Sequence, residues 1–398
     1  MREVPVARPD YRDPWKLSFA ERYRMLRAEP VHVAYYYRWP DASTFRYRCY
    51  NTAMALNDLV PGVSASWFEE ADGDALLDVV KDVDILVIGR VPYSDQVAQL
   101  IAVARRFGTR VLADVDDYVF DLAVVPEVVK TLDQYEGDIA AAEPMWNWWF
   151  AYFARVRQTM ELVDEIIVTN DFLAARTREV FTDRPVRVIP NFMGPEQIAY
   201  SEQLVAARAA AGDRDDGTVH LGYFSGTPTH NRDLALAAGA VARLMQRDDS
   251  VRLRLVGFLD LKDSPLSTVR DRIDQVPLTD YLDLQRLISE VDVSLAPLQD
   301  NRFTNCKSEL KYFDAAAVAV PSLASPTYTM SAAIDHGVNG LLSRVDEWDE
   351  MLDRAVSDHR GAGRQMGRRA YDHAIAAYSP VAMVDRITAA LGLPSDGA

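Results

Sequence analysis

Cysteine is scarce: among 398 residues only Cys49 and Cys306 occur. Two cysteines build no disulfide framework and give too few ligands for a structural zinc site. That count fits a reducing compartment. Histidine is also sparse, at six residues, and only His230 falls in a segment with other chemistry-bearing side chains. Positive charge is in deficit, with 43 Lys and Arg against 59 Asp and Glu and a formal net charge of -16. Nucleic-acid affinity comes largely from cations neutralising phosphates, so nucleic acid is not an expected partner. Broad adhesion to an anionic membrane is disfavoured for the same reason. No run approaches the roughly 20 apolar residues that cross a bilayer. The stretch Met1–Asp13 is polar and unlike a secretory signal. The expected location is the cytoplasm, with peripheral contact at the inner face of a membrane left open.

Ordinary globular composition is present instead, 49% hydrophobic and 26% charged. At roughly 100–200 residues per domain, the length predicts two domains. The dominant pattern is a β-branched apolar run followed by a helical stretch. Val31–Tyr37, Val83–Gly89, Arg110–Val115, Glu165–Thr169 and Val186–Pro190 form one series. Val219–Phe224, Val251–Gly257, Val291–Pro297, Val320–Ala324 and Gly340–Leu342 form a second. Near-continuous apolar strands alternating with helices predict parallel sheets covered on both faces. The fold class is therefore α/β, with two Rossmann-like doubly wound domains facing a cleft. The stretch 194–217 carries no apolar strand and ends in the polar Ala211-Gly-Asp-Arg-Asp-Asp-Gly217, which reads as a linker. The predicted domains are 1–195, joined by a returning C-terminal helix over 379–398, and 196–378.

Ligands of open α/β sheets sit beyond the carboxyl ends of the strands. Ser225-Gly-Thr-Pro-Thr-His-Asn-Arg-Asp233 follows such a strand and precedes a helix. Ser225, Gly226 and Thr227 could approach an anion through backbone N–H groups, and Arg232 adds a fixed charge. A helix start capped by Thr229 or Asn231 explains the segment without a ligand. The second candidate is Asn305-Cys-Lys-Ser-Glu-Leu-Lys-Tyr-Phe-Asp314. Lys307 and Ser308 are expected at a helix N-terminus, with Lys311 and Asp314 on the same face at spacings of four and three. Two lysines at a helix start oppose the dipole and repel each other, a cost that a bound anion offsets. A solvated charged face is the plainer reading. Pro277 and Leu278 lie where a loop could read a nucleotide base.

Asp114, Asp116 and Asp117 end the strand Arg110–Val115. Close carboxylates raise one another's pKa, which suits a general base; an aspartate-rich turn is the alternative. Arg46 and Arg48 follow the first strand and could hold an anionic acceptor or lie on a helix surface. The aromatic stretch Trp146-Asn-Trp-Trp-Phe-Ala-Tyr-Phe153 fits core packing better than sugar or lipid docking.

Lys311-Tyr-Phe-Asp-Ala-Ala-Ala-Val-Ala-Val-Pro-Ser-Leu-Ala-Ser325 resembles the donor-binding signature of GT-B glycosyltransferases of the family-4 kind. Those read Glu, seven residues, Glu, then Ala-x-Ala-x-Gly-x-Pro-Val-Val-Ala-Ser. The resemblance implies that Asp314 stands where the second Glu holds the ribose hydroxyls. The first Glu falls on Cys306, so that half is missing. Lys311 matches a basic residue of a related branch, and Arg232 the family's diphosphate grip. Asn191 resembles the end of its interdomain strand. Ser43-Thr-Phe-Arg-Tyr-Arg48 and Asp114-Val-Asp-Asp117 resemble bacterial transferases of capsule, O-antigen or rhamnan assembly. The function so implied is hexosyl or deoxyhexosyl transfer from a UDP- or dTDP-sugar to a glycan or lipid-linked glycan. Polysaccharide or glycoconjugate synthesis is the implied pathway. No cofactor is obligatory, and Lys and Arg replace a metal on the diphosphate. The competing readings are a nucleotide-sugar epimerase of the same fold and a non-catalytic sugar-nucleotide binding protein. A phosphatase of the haloacid dehalogenase type would want its aspartates after the first strand and a second acidic pair after a late strand, and the chain supplies neither.

Overall fold

The computed structural model describes residues 6–132, 139–212, 217–226 and 231–393. Six parallel strands, β1 (Val31–Tyr37), β2 (Val63–Glu69), β3 (Ile85–Gly89), β4 (Arg110–Val115), β5 (Glu165–Val168) and β6 (Val186–Val188), form a sheet in the order β2-β1-β3-β4-β5-β6. A second parallel sheet holds β7 (Val219–Phe224), β8 (Val251–Val256), β9 (Ile273–Val276), β10 (Val293–Ala296), β11 (Ser322–Ala324) and β12 (Leu341–Leu342), in the order β12-β11-β10-β7-β8-β9. Strand order reverses between β1 and β3 and between β7 and β10, which opens a crevice at each reversal. Side-chain alternation covers both faces of the first sheet: Val33, Tyr35 and Tyr37 enter one core cluster, Ala34 and Tyr36 another.

Two strands escape the apolar-run criterion. β2 reads Val-Ser-Ala-Ser-Trp-Phe-Glu, and its Ser64 and Ser66 are buried. Ser64 is satisfied by donating to the Leu26 carbonyl, so a polar residue is tolerated in a covered strand. β9 is a half-exposed edge strand, Ile-Asp-Gln-Val, with an apolar residue only at each end.

The stretch expected to be a linker is mostly helix. Pro195 opens the helix Pro195–Ala210, where its missing N–H costs nothing. This helix buries Gln197, Tyr200, Ser201 and Leu204. Ser201 Oγ donates to Gln285 Oε1 at 3.3 Å, and Arg208 donates to the carbonyls of Ser289 (2.7 Å) and Val291 (3.0 Å). Its buried face is partly amide and hydroxyl, which masks the helical periodicity of apolar residues. The last helices, Ala362–Tyr378 and Pro380–Leu391, return the chain to the first sheet. Met193 N donates to the Tyr378 carbonyl at 2.9 Å, and Arg110 Nη1 to that of Leu391 at 2.7 Å.

The strand ends of the two sheets face each other and touch. Asn170 Nδ2 donates to the Cys306 carbonyl (2.7 Å), Asn301 Nδ2 to Thr131 Oγ1 (3.0 Å) and the Phe303 N–H to Glu127 Oε1 (3.1 Å). Deeper in, Tyr47 stands edge-on to Tyr281 and Phe313, at centroid distances of 6.2 and 6.3 Å. A continuous apolar layer therefore underlies the cleft.

Candidate functional site

β4 delivers its three aspartates to different surroundings, because strand alternation and the following turn point them apart. Asp114 is 3% exposed and receives both arms of the Arg48 guanidinium, at 2.7 and 2.9 Å. Burial pushes its carboxyl up and Arg48 pulls it down. Asp116 is 14% and Asp117 27% exposed, and Nη1 of Arg90 stands 2.9 Å from an oxygen of each. Thr44 Oγ1 donates to the other oxygen of Asp116 at 2.7 Å. Burial raises the Asp117 pKa, the Asp116 charge raises it further, and Lys307 and Arg90 oppose them. Lys307 belongs to the second sheet's side, so Asp117 of the first sheet feels a cation across the cleft.

On that second side the helix runs over Leu310–Ala316 with Glu309 as N-cap. Lys307 and Ser308 therefore precede it rather than opening it, and that expectation is corrected: the short helix Arg302–Asn305 consumes the preceding residues. Lys307 Nζ lies 4.8 Å from the Phe303 ring centroid. Ser308 Oγ accepts from Asn191 Nδ2 at 3.0 Å. Lys311 donates to the carbonyl of Phe224, the last residue of β7, and burial pushes its pKa down to about 8. Asp314 accepts from Gln197 Nε2 at 2.7 Å, and burial pushes its carboxyl up to about 7. Lys311 and Asp314 remain half-buried beside the crevice at the end of β7.

Ser225 and Gly226 continue β7, and Arg232 is the second residue of the helix Asn231–Arg247. Thr227 and His230 lie outside the described residues. A close approach of backbone to backbone occurs at Gly257. A Cβ on Gly257, whose φ is +108°, would meet the Ser225 carbonyl oxygen at 2.0 Å, so only glycine lets the ends of β7 and β8 close up. Pro277 and Leu278 follow β9 and are exposed.

Arg46 and Arg48 are not displayed to solvent. Both belong to a π-helical turn, Arg46–Tyr50, and both are fully buried. Arg48 Nη1 also donates to the Ile189 carbonyl (2.7 Å) and to Asn191 Oδ1 (3.0 Å). Asp114, Arg48, Asn191 and Ser308 thus form one chain from the core of the first sheet to the loop of the second. The Arg46 guanidinium lies 3.6 Å from the Tyr281 ring centroid and 4.6 Å from that of Trp15. The expectation that these arginines hold an acceptor is corrected: one is a buried ion-pair anchor, the other a cation packed between aromatic rings. The bidentate pair likewise occupies both carboxylate oxygens of Asp114.

Arg90 was missed. It directly follows β3, with φ of 45°, an uncommon conformation for a residue other than glycine. The rule that sites lie after strand ends points to it, but a lone arginine in Gly-Arg-Val-Pro carries no motif. It also lines a cavity of about 340 Å³ at the ends of β1 and β3. Among the described residues no cluster of His, Cys, Asp and Glu fits a metal ion, and no helix is long and apolar enough to cross a membrane.

Residues 219–358 match the model of the glycosyl transferases group 1 family. No curated protein sequence matches the chain. Among solved structures, HepE from Anabaena in complex with UDP superposes with a TM-score of 0.56 at 13% identity, over 90% of this chain and 99% of that one. WaaG, a glycosyltransferase involved in lipopolysaccharide biosynthesis, gives 0.54 at 13% identity, over 92% and 100%. TarM of S. aureus, solved with UDP, gives 0.52 at 13% identity; 79% of this chain is covered but only 58% of TarM. Paired parallel sheets, strand ends meeting across a cleft, and these superpositions give the chain the GT-B fold.

Proposed function

We propose that this protein transfers a sugar from a nucleoside-diphosphate sugar to a glycan or lipid-linked glycan acceptor. The observation that carries the reading is the approach of opposite charges across the cleft: Asp117 of the first sheet lies within electrostatic reach of Lys307 of the second. Lys307, Lys311 and Arg232, with the backbone at Ser225–Gly226, would neutralise the diphosphate, so no metal is required there. Asp314 would hold the ribose, and Pro277 and Leu278 would border the base. UDP is preferred over dTDP because HepE and TarM were solved with UDP. Asp117 acts on the acceptor hydroxyl or the anomeric centre, since burial and the Asp116 charge raise its proton affinity above that of a free carboxylate. Arg90 and Thr44 position Asp116 beside it. Residues 1–195 with 379–398 form the acceptor domain and 196–378 the donor domain, acting in surface polysaccharide or glycoconjugate synthesis.

Asp117→Asn should lower turnover about 10²–10⁴-fold, the usual worth of a positioned acid or base. UDP binding should be unchanged. Unaltered transfer would refute the assignment. An epimerase would release an isomerised sugar nucleotide without acceptor, and a binding protein would not respond to Asp117→Asn at all.

A further inference from the structure

A cavity lies at the ends of β1 and β3. Its volume, about 340 Å³, falls at the low end of the range of roughly 300–1,000 Å³ seen for small-molecule sites. Two indoles border it and stay in water: Trp39 is 62% exposed and Trp148 57%. Trp148 is not loose, for it stacks on Tyr152 with centroids 5.3 Å apart and planes 2° from parallel. A flat aromatic surface of this kind suits the C–H face of a pyranose, which is apolar while its rim is hydroxylated.

The charge of the lining is opposite to that of the chain. Arg38, Arg90 and Arg155 are set against Asp41 in a protein of formal net charge -16. Asp41 is occupied, accepting from the Ser43 N–H and hydroxyl at 2.7 Å each. Arg38 is balanced by Glu70 at 2.7 Å, and Arg90 by Asp116 and Asp117. Arg155 is different. Its Nε donates to the Tyr93 carbonyl at 2.7 Å, which fixes the guanidinium, yet it pairs with no carboxylate among the described residues. A held guanidinium beside exposed aromatic faces is a receptor for a carboxylate or phosphate.

Resting on the transferase reading above, we propose that this cavity is the acceptor subsite and that the acceptor is an anionic pyranoside, bearing a carboxylate or a phosphate. Trp148 and Trp39 hold the ring face and Arg155 grips the anion. Arg90 joins the cavity to Asp116 and Asp117, so a hydroxyl of a sugar seated there is presented to the carboxylates.

The test is ligand-observed NMR titration of the full chain with methyl glucuronide, glucose 6-phosphate and neutral methyl glucoside. At least one anionic probe should bind about tenfold or more tighter than the neutral one, the size expected of one charge-assisted pair. Glucuronide preference identifies a uronic acid, and phosphate preference a phosphorylated sugar. Arg155→Gln should erase the preference, and Trp148→Ala should weaken every probe that binds. Both positions are exposed, and an unchanged melting temperature confirms folding. Equal binding of neutral and anionic probes, or a preference that survives Arg155→Gln, would overturn the proposal. UDP-induced stabilisation is read in the same samples. If UDP fails to stabilise the wild type while the probes bind as expected, the donor reading falls and the anionic subsite stands.

Discussion

On the proposed reading, Lys311 trades stability for binding. Burial holds its pKa near 8, below the free value, so keeping it charged at neutral pH costs folding free energy. For a lysine depressed in the folded state, that cost is fully present below about pH 8 and disappears as pH rises toward the unfolded value of 10.5. A diphosphate needs the charged form. UDP affinity should therefore fall as pH rises through about 8, a dependence readable by calorimetry. Lys311→Met should raise the melting temperature and weaken UDP roughly 10–100-fold, the worth of one charged hydrogen bond. Asp116 and Asp117 show the same logic of surroundings over sequence. They are neighbours of Asp114, yet only Asp114 is locked in a bidentate pair. Three aspartates in a row of four were visible in the sequence, but which of them stays available was not, because the partner, Arg48, is 66 residues away.

At the scale of elements, the strands with unbroken apolar runs were legible: β1, β4 and β7 fall at the boundaries read from sequence. β2 was not, since its buried Ser64 is satisfied by a hydrogen bond that no periodicity reveals. The helix Ile139–Glu161 divides its aromatics by helical spacing. Trp149 and Phe153, four apart, are core, whereas Trp148 and Tyr152, also four apart, turn to the cavity. The expectation of a core stripe therefore holds for one face only. Phe153→Ala should cost about 3–5 kcal/mol in denaturant unfolding, whereas exposed Phe150→Ala should stay within about 0.5 kcal/mol. The π-helical turn is a second element whose role lies in packing. Arg48→Ala strands Asp114 in the core without its partner, and breaking a buried pair typically costs about 3–5 kcal/mol. A chemical melt that shows no destabilisation would mean that water replaces the guanidinium.

For the whole molecule, two sheets joined across a cleft followed from two series of strands, and the match to the group 1 glycosyl transferase model over 219–358 coincides with the second series. What the sequence could not supply was the way the halves meet. The chain from Asp114 through Arg48 and Asn191 to Ser308 spans both, and its links join residues far apart in sequence. The cavity beside Arg90 likewise arises from three separate segments. The account as a whole stands on a nucleoside diphosphate binding at the end of β7, across from Asp116 and Asp117 just after β4. The most direct test is the melting temperature of the full chain with UDP, dTDP and GDP, repeated on Lys311→Met. The account predicts that UDP raises it, by the equivalent of about 2.7 kcal/mol at a hundredfold excess over Kd, and that the substitution removes most of the shift. Stabilisation by none of the three nucleotides would contradict it.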